Sequence, residues 1–224
     1  MKKDSKKYYY SLQLSEIEKI KALDHKPSLL MHACCGICVS WPALYLSEFF
    51  DLTLFYNNDN IYPEEEYEKR YRELCRLISE YNQEKGTDIK VIKTPFNGEA
   101  YHQKLAPLKD EPENGARCHL CYALRMEPAM AYAAENRYDY FTTVMTVSRQ
   151  KDSRVLNQIG VRLQEKYPQV RYFFSDFKKD GGLEKGDKLA NEHNLYRQNY
   201  CGCLYSYEEM LKRAQKDYQK ETEG

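Results

Sequence analysis

Apolar positions along the chain alternate between short continuous runs and helical spacing. Runs at 27–32, 51–56, 88–93, 138–147 and 170–174 read as buried strands, being short, bounded by polar turns and rich in Leu, Ile, Val, Phe and Tyr. Between them the apolar period changes to that of a helix. Residues 63–85 place Tyr67, Tyr71, Leu74, Ile78 and Tyr81 on one face, with Gly86 as a C-terminal stop. Helices are also expected over 39–50, with Pro42 near its start, over 117–136, where Pro128 should kink or split the element, between 154 and 170, and over 186–195. An N-terminal helix over 12–24 carries Ile17, Ile20 and Leu23 and a capping box from Ser15 and Glu18, and Ser206 with Glu209 caps a closing helix over about 207–220.

Strictly alternating strands and helices predict an α/β fold, a parallel sheet with helices on both faces, ending in a C-terminal helical extension. The 224 residues are read as one domain, with its core over about 29–206. In such a sheet the loops after the strand C-termini share one edge, where ligands bind. Cys34, Cys35 and Cys38 follow the first strand, Cys118 and Cys121 follow the third, and the basic loop 148–154 follows the fourth, all on that edge.

Composition narrows the function without naming it. With 34 basic against 34 acidic residues the chain is no polycation, so any nucleic-acid contact must be a local patch. No apolar run reaches the roughly 18–20 residues of a membrane span, and the first residues lack a secretory apolar stretch, so no membrane association and a cytoplasmic location are expected. Eight cysteines in a reducing cytosol point to metal or redox chemistry rather than structural disulfides.

Seven of the eight fall in three groups, Cys34-Cys35-x-x-Cys38, Cys118-x-x-Cys121 and Cys201-x-Cys203. Residues three apart are neighbours on a helix and a helix N-terminus favours thiolate, so Cys118 and Cys121 suit a soft metal. Structural zinc needs four ligands, and adjacent Cys34-Cys35 fits one tetrahedral knuckle poorly. A four-iron cluster takes up to four sulfurs and leaves three for a second metal or a dithiol, a role that the short Cys201-Gly-Cys203 ring suits. Cys75 stands alone in its helix and reads as structural. His32 precedes the first cysteines and can tune a cluster or deliver a proton, while Asp59 and Asp176 lie on the binding edge as candidate ligands or acids. Arg149, Lys151 and Arg154, with Lys178, Lys179 and Lys185, form a candidate phosphate-binding patch.

Four ordered segments then carry a resemblance: His-Ala-Cys-Cys-Gly-Ile-Cys at 32–38, Asn-Ile-Tyr-Pro-Glu-Glu-Glu-Tyr-Glu-Lys-Arg at 60–70, Arg-Cys-His-Leu-Cys-Tyr-Ala-Leu-Arg at 117–125 and Tyr-Arg-Gln-Asn-Tyr-Cys-Gly-Cys at 196–203. Together they resemble the cobalamin-independent epoxyqueuosine reductases. The resemblance implies two-electron reduction of the epoxide of epoxyqueuosine, at the wobble position of tRNA, to queuosine with loss of water. It also implies a fold similar to the adenine-nucleotide alpha-hydrolase group, but Ala33-Cys34-Cys35-Gly36 stands where that group's Ser- and Gly-rich phosphate loop would be.

Carried onto this chain, the family pattern assigns Cys34, Cys35, Cys118 and Cys121 to a 4Fe-4S cluster and Cys201 and Cys203 to a redox pair or a neighbouring metal. A second mononuclear ion, iron or zinc, would polarise the epoxide oxygen with help from Cys38, Asp59 or Asp176. An extruded wobble base needs basic and aromatic neighbours, and Arg149, Lys151, Tyr196 and Arg197 are the expected RNA contacts. The electrons come from an unidentified donor. Two other readings stand beside this one, an ATP-dependent tRNA thiolation enzyme on the same fold and a zinc-stabilised RNA-binding module.

Overall fold

The computed structural model describes residues 7–223. Five strands, β1 (Ser28–His32), β2 (Asp51–Tyr56), β3 (Lys90–Lys93), β4 (Tyr140–Thr143) and β5 (Arg171–Tyr172), form one parallel sheet in the order β3-β2-β1-β4-β5. The apolar runs stay continuous because both faces are covered. Leu29 and Met31 point to one face, packed with residues of α1 (Tyr8–Lys21), α2 (Gly36–Ser47) and α3 (Glu64–Glu84). Leu30 points to the other, among Met126, Ala129 and Met130 of α5 (Ala116–Glu135) and Leu156 and Leu163 of α6 (Ser153–Lys166). The strand order reverses at β1 and β4, and the segments after these two strands diverge there to leave a crevice.

Several element ends differ from the sequence expectation, each for a local reason. α1 starts at Tyr8, so Ser15 sits in mid-helix and makes no capping box, and Leu23 lies past the helix end, exposed. α5 runs through Pro128 unbroken; Pro128 faces solvent, where water can satisfy the carbonyl that loses its partner. β4 stops at Thr143 because the Thr143 hydroxyl accepts from the Met145 amide and turns the chain into a 3-10 segment over Val144–Val147. α7 (Gly182–Glu192) begins four residues before the expected start, after Gly181 at φ +70. A Cβ on Gly182 would lie 1.9 Å from the Phe177 carbonyl oxygen, so only glycine lets the chain turn there. α8 (Leu204–Glu223) is capped by Cys203, whose carbonyl accepts from Tyr207, and not by Ser206, which lies inside the helix and donates to that same carbonyl. The unexpected α4 (Gly98–Leu105) has a legible start, Asn97 accepting from the Ala100 amide with Glu99 in the first turn.

α1 is tied to the sheet by Glu16, which accepts from the Tyr140 hydroxyl at 2.8 Å and pairs with Arg171 at 2.7 Å. Partial burial works to raise the Glu16 pKa, but the bonds from Lys19 and Tyr140 and the Arg171 charge hold it below the ordinary 4.5. A carboxylate with a depressed folded-state pKa stabilises above its unfolded value and loses that contribution as pH falls through the folded value. Glu16→Gln should therefore lower the thermal midpoint at pH 7, by an amount that shrinks as pH falls through the folded pKa of Glu16, as scanning calorimetry across the acid range would show.

Candidate metal centre

Each cysteine group sits where a strand or loop hands over to a helix. β1 continues into Ala33, whose amide still donates to Phe55, and Cys35 is the extended residue that caps α2. The turn gathers the sulfurs of Cys34, Cys35 and Cys38 within 4.8 Å of one another, and among the described residues no other group of three His, Cys, Asp or Glu offers a metal such a site. Gln198 donates to the Cys35 sulfur at 3.1 Å. Thiol donation from Cys34 and Cys38 pulls the Cys35 pKa well down, while the same sharing pushes Cys34 up to about 12 and raises Cys38. A soft cation held by these three sulfurs would draw their remaining protons off.

Cys118 and Cys121 occupy the first turns of α5, and the Cys118 sulfur accepts from the Asn114 amide at 3.3 Å. Burial raises the Cys118 pKa, and Cys121, Cys201 and Cys203 add to it, which places these four thiols in one electrostatic neighbourhood. Cys203 is likewise raised by burial first, then by Cys201 and Cys121. The Cys34 group and Cys201 line the crevice, and the donor set fits soft-metal chemistry.

A cavity of about 360 Å³ opens between them, lined by the Cys34 group, Cys201, Asn58, Asn60, Gln198, Arg70, Arg125 and Lys151. Four cations, Arg70, Arg125, Lys151 and Arg213, therefore line a sulfur-rich site, together with the carboxylates Glu113 and Glu209. Arg125 is 3 % exposed and donates to the Cys121 carbonyl, and Arg70, equally buried, pairs with Glu66. Burial works against the Lys151 charge, but the nearby sulfurs, Cys201 foremost, shift its pKa upward.

The other expected site residues are dispersed. Lys151 alone of the four expected RNA contacts lines the cavity. Arg149 and Arg197 both pair with Asp187 on the surface, and the Tyr196 hydroxyl donates to Glu66. Asp59 turns away toward α4 and accepts from the Asn97 amide, while Asn58 and Asn60 on either side face the cavity. Asp176 is buried against Lys178, which donates to the Thr146 and Lys151 carbonyls, so it acts on the site at one remove. His32 is fully buried, 3.0 Å from the Thr143 hydroxyl and kept neutral by burial, and does not line the cavity. Cys75 stays in α3, outside both sulfur groups.

Sequence reasoning puts the loop 57–60 on the binding edge but singles out only Asp59 there, and it missed Arg70, Arg125 and Gln198 as cavity residues. A signal existed for Arg125, which lies four residues after Cys121 and so on the same helix face. Arg70 falls between Tyr67 and Leu74 on the apolar stripe of α3, a position where an arginine must have a buried partner.

Residues 29–209 match the family model described as epoxyqueuosine reductase QueH. Among curated relatives, the epoxyqueuosine reductase QueH of Streptococcus pyogenes serotype M1 is 35% identical over 181 residues, 81% of this chain and 71% of the relative. That of Staphylococcus aureus is 33% identical over 183 residues, 81% of this chain and 76% of the relative, and that of Thermotoga maritima 30% over 194, 84% and 93%.

Proposed function

Because this chain belongs to the epoxyqueuosine reductase QueH family, we propose that its sulfur-lined cavity is where the epoxide of epoxyqueuosine in tRNA is reduced to the alkene of queuosine. The enzyme is an oxidoreductase acting on tRNA. The observation that carries the site is that cysteines of two groups remote in sequence, Cys34, Cys35 and Cys38 with Cys201, line one crevice at the strand-order reversal, while Cys201 also acts electrostatically on Cys118 of the third group. Neither a thiolation enzyme nor a zinc-stabilised binding module is favoured by the relatives.

The reaction consumes two electrons and two protons and releases the epoxide oxygen as water. No side chain here supplies both electrons to the substrate and returns unaided, so an external electron donor is required. When bound by these thiolates, an iron–sulfur cluster supplies electrons singly and a second metal ion acts as a Lewis acid. Cys34, Cys35, Cys118 and Cys121 are the proposed cluster ligands, with Cys38, Cys201 and Cys203 left for the second metal or a redox pair. A second partition, Cys118 and Cys121 with Cys201 and Cys203, is favoured by their shared electrostatic neighbourhood.

The chain's own groups do the rest. Lys151 presents a cation toward the oxygen that gains charge as the ring opens, in a site partly withdrawn from water. Arg125 and Arg70 offset the negative charge that thiolates bring to the crevice. The test is anaerobic reconstitution with iron and sulfide counting, then an assay on tRNA carrying epoxyqueuosine. Cys203→Ser should retain cluster iron under the first partition and lose it under the second. A protein that binds only zinc and leaves the epoxide intact would sink the reading.

A further inference from the structure

Two of the segments singled out in the sequence, 60–70 and 196–203, meet in space although 131 residues separate Arg70 from Cys201. Residues 196–203 form neither helix nor strand, so their backbone groups need partners from elsewhere. Arg70 provides them, with Nη1 donating to the Cys201 carbonyl at 3.3 Å and Nη2 to the Tyr200 carbonyl at 3.5 Å, while Nε donates to Glu66 at 2.7 Å. The guanidinium also lies 5.2 Å from the Tyr200 ring centroid. The Tyr62 amide donates to the Gly202 carbonyl at 2.7 Å, and the Tyr196 hydroxyl and amide donate to Glu66 and Glu73 at the start of the segment.

Gly202 is what lets the turn come this close. Its φ is +123, and a Cβ there would lie 2.9 Å from Arg70 Nη1. The ion pair itself is a poor source of stability: the Arg70 and Glu66 side chains are 3 % and 10 % exposed, and desolvation offsets most of the attraction of such a pair. Its planar fork, which lysine cannot reproduce, instead sets the place of two consecutive carbonyls.

Just after the turn, Tyr205 packs against the cluster of Cys121 and lies under Arg117 at 4.3 Å, which brings the turn to the start of α5. Building on the reductase reading, we propose that Glu66 and Arg70 are positioning residues that hold the Tyr200–Cys203 turn so that Cys201 and Cys203 stand beside Cys118 and Cys121. Glu66 does not line the crevice, and Arg70, which also offsets thiolate charge there, acts on the turn through the sulfurs that it places.

Cys75 supplies an internal control, since it lies in α3 with Glu66 and Arg70 but outside the sulfur groups. In reduced, metal-free full-length Arg70→Gln, alkylation of Cys203 followed by peptide mass spectrometry should run about tenfold faster than in the parent, the scale of one lost charge-assisted hydrogen bond, with Cys75 unchanged. Reconstituted Arg70→Gln should show a kcat about tenfold lower at an unchanged KM for tRNA. Gly202→Ala, which pushes the turn off the guanidinium without stranding a buried charge, should do the same, and it decides alone if Arg70→Gln does not fold. Parental Cys203 protection and kcat would overturn the proposal, as would Cys203 and Cys75 accelerating together, the sign of general loosening of α3. A parent protein inactive on epoxyqueuosine tRNA would instead sink the reductase reading and leave the alkylation result standing.

Discussion

Cys35→Ser is expected to lower reductase turnover by at least about a hundredfold and to reduce the iron bound per chain, with little change in the melting temperature of the metal-free protein. The magnitude is a lower bound, because losing a residue that merely supports a metal ligand already costs about 10- to 100-fold. Cys35 is the favoured thiolate of its group, receiving thiol hydrogen bonds from its neighbours and an amide donation from Gln198. A serine hydroxyl stays protonated at this position and is a hard donor, so it cannot replace a soft anionic sulfur. The fold should be spared because the swap changes little volume and α2 keeps its cap, which rests on the extended Cys35 backbone rather than on its side chain. Turnover assay, iron counting and calorimetry on the same preparation would check the three parts, and full turnover in this variant would remove the Cys34 group from the chemistry.

Lys151→Met should likewise cost at least about a hundredfold in single-turnover rate with tRNA pre-bound, within the range of a lost charge stabiliser or proton donor. Arg149→Glu should leave that rate intact and weaken tRNA affinity by a few-fold, an effect that vanishes as salt is raised. The two residues are neighbours in sequence and read alike as basic loop positions, but the structure separates them. Arg149 is 65 % exposed and paired with Asp187. Lys151 lines the cavity, and its backbone is held from two sides, its amide donating to the Ser148 carbonyl and its carbonyl accepting from Lys178. Lys178 is in turn held near Asp176 at 3.6 Å, which gives that carboxylate a supporting part in placing Lys151. Equal losses in the two variants would show that Lys151 serves only the phosphate backbone.

Much of this was legible in one dimension. The strand runs and the α3 stripe state their period openly, because a strand buried on both faces needs an unbroken apolar run and a surface helix needs a stripe. Pro128 and Ser15 misled because a proline's effect depends on whether water can reach the freed carbonyl, and a capping pair's effect on whether the helix starts there at all. The loop after β2 shows the same limit at the site. Asn58, Asp59 and Asn60 are equally polar in sequence, yet only the two amides face the cavity, since the chain turns the middle carboxylate toward Asn97.

By itself the sequence determined the sheet class, the placing of the cysteine groups at strand and loop ends, and through four ordered motifs the family and its reaction. Periodicity and motif order are local properties, and a parallel sheet converts strand ends into one edge by topology alone. Only the tertiary structure decided which side chains share the crevice: Lys151 and not Arg149, Asn58 and Asn60 and not Asp59, and the two buried arginines among the sulfurs. That choice rests on partners distant in the chain, such as Glu66 and Arg70 closing on the turn at Cys201, and burial of a charge is decided by whether such a partner arrives.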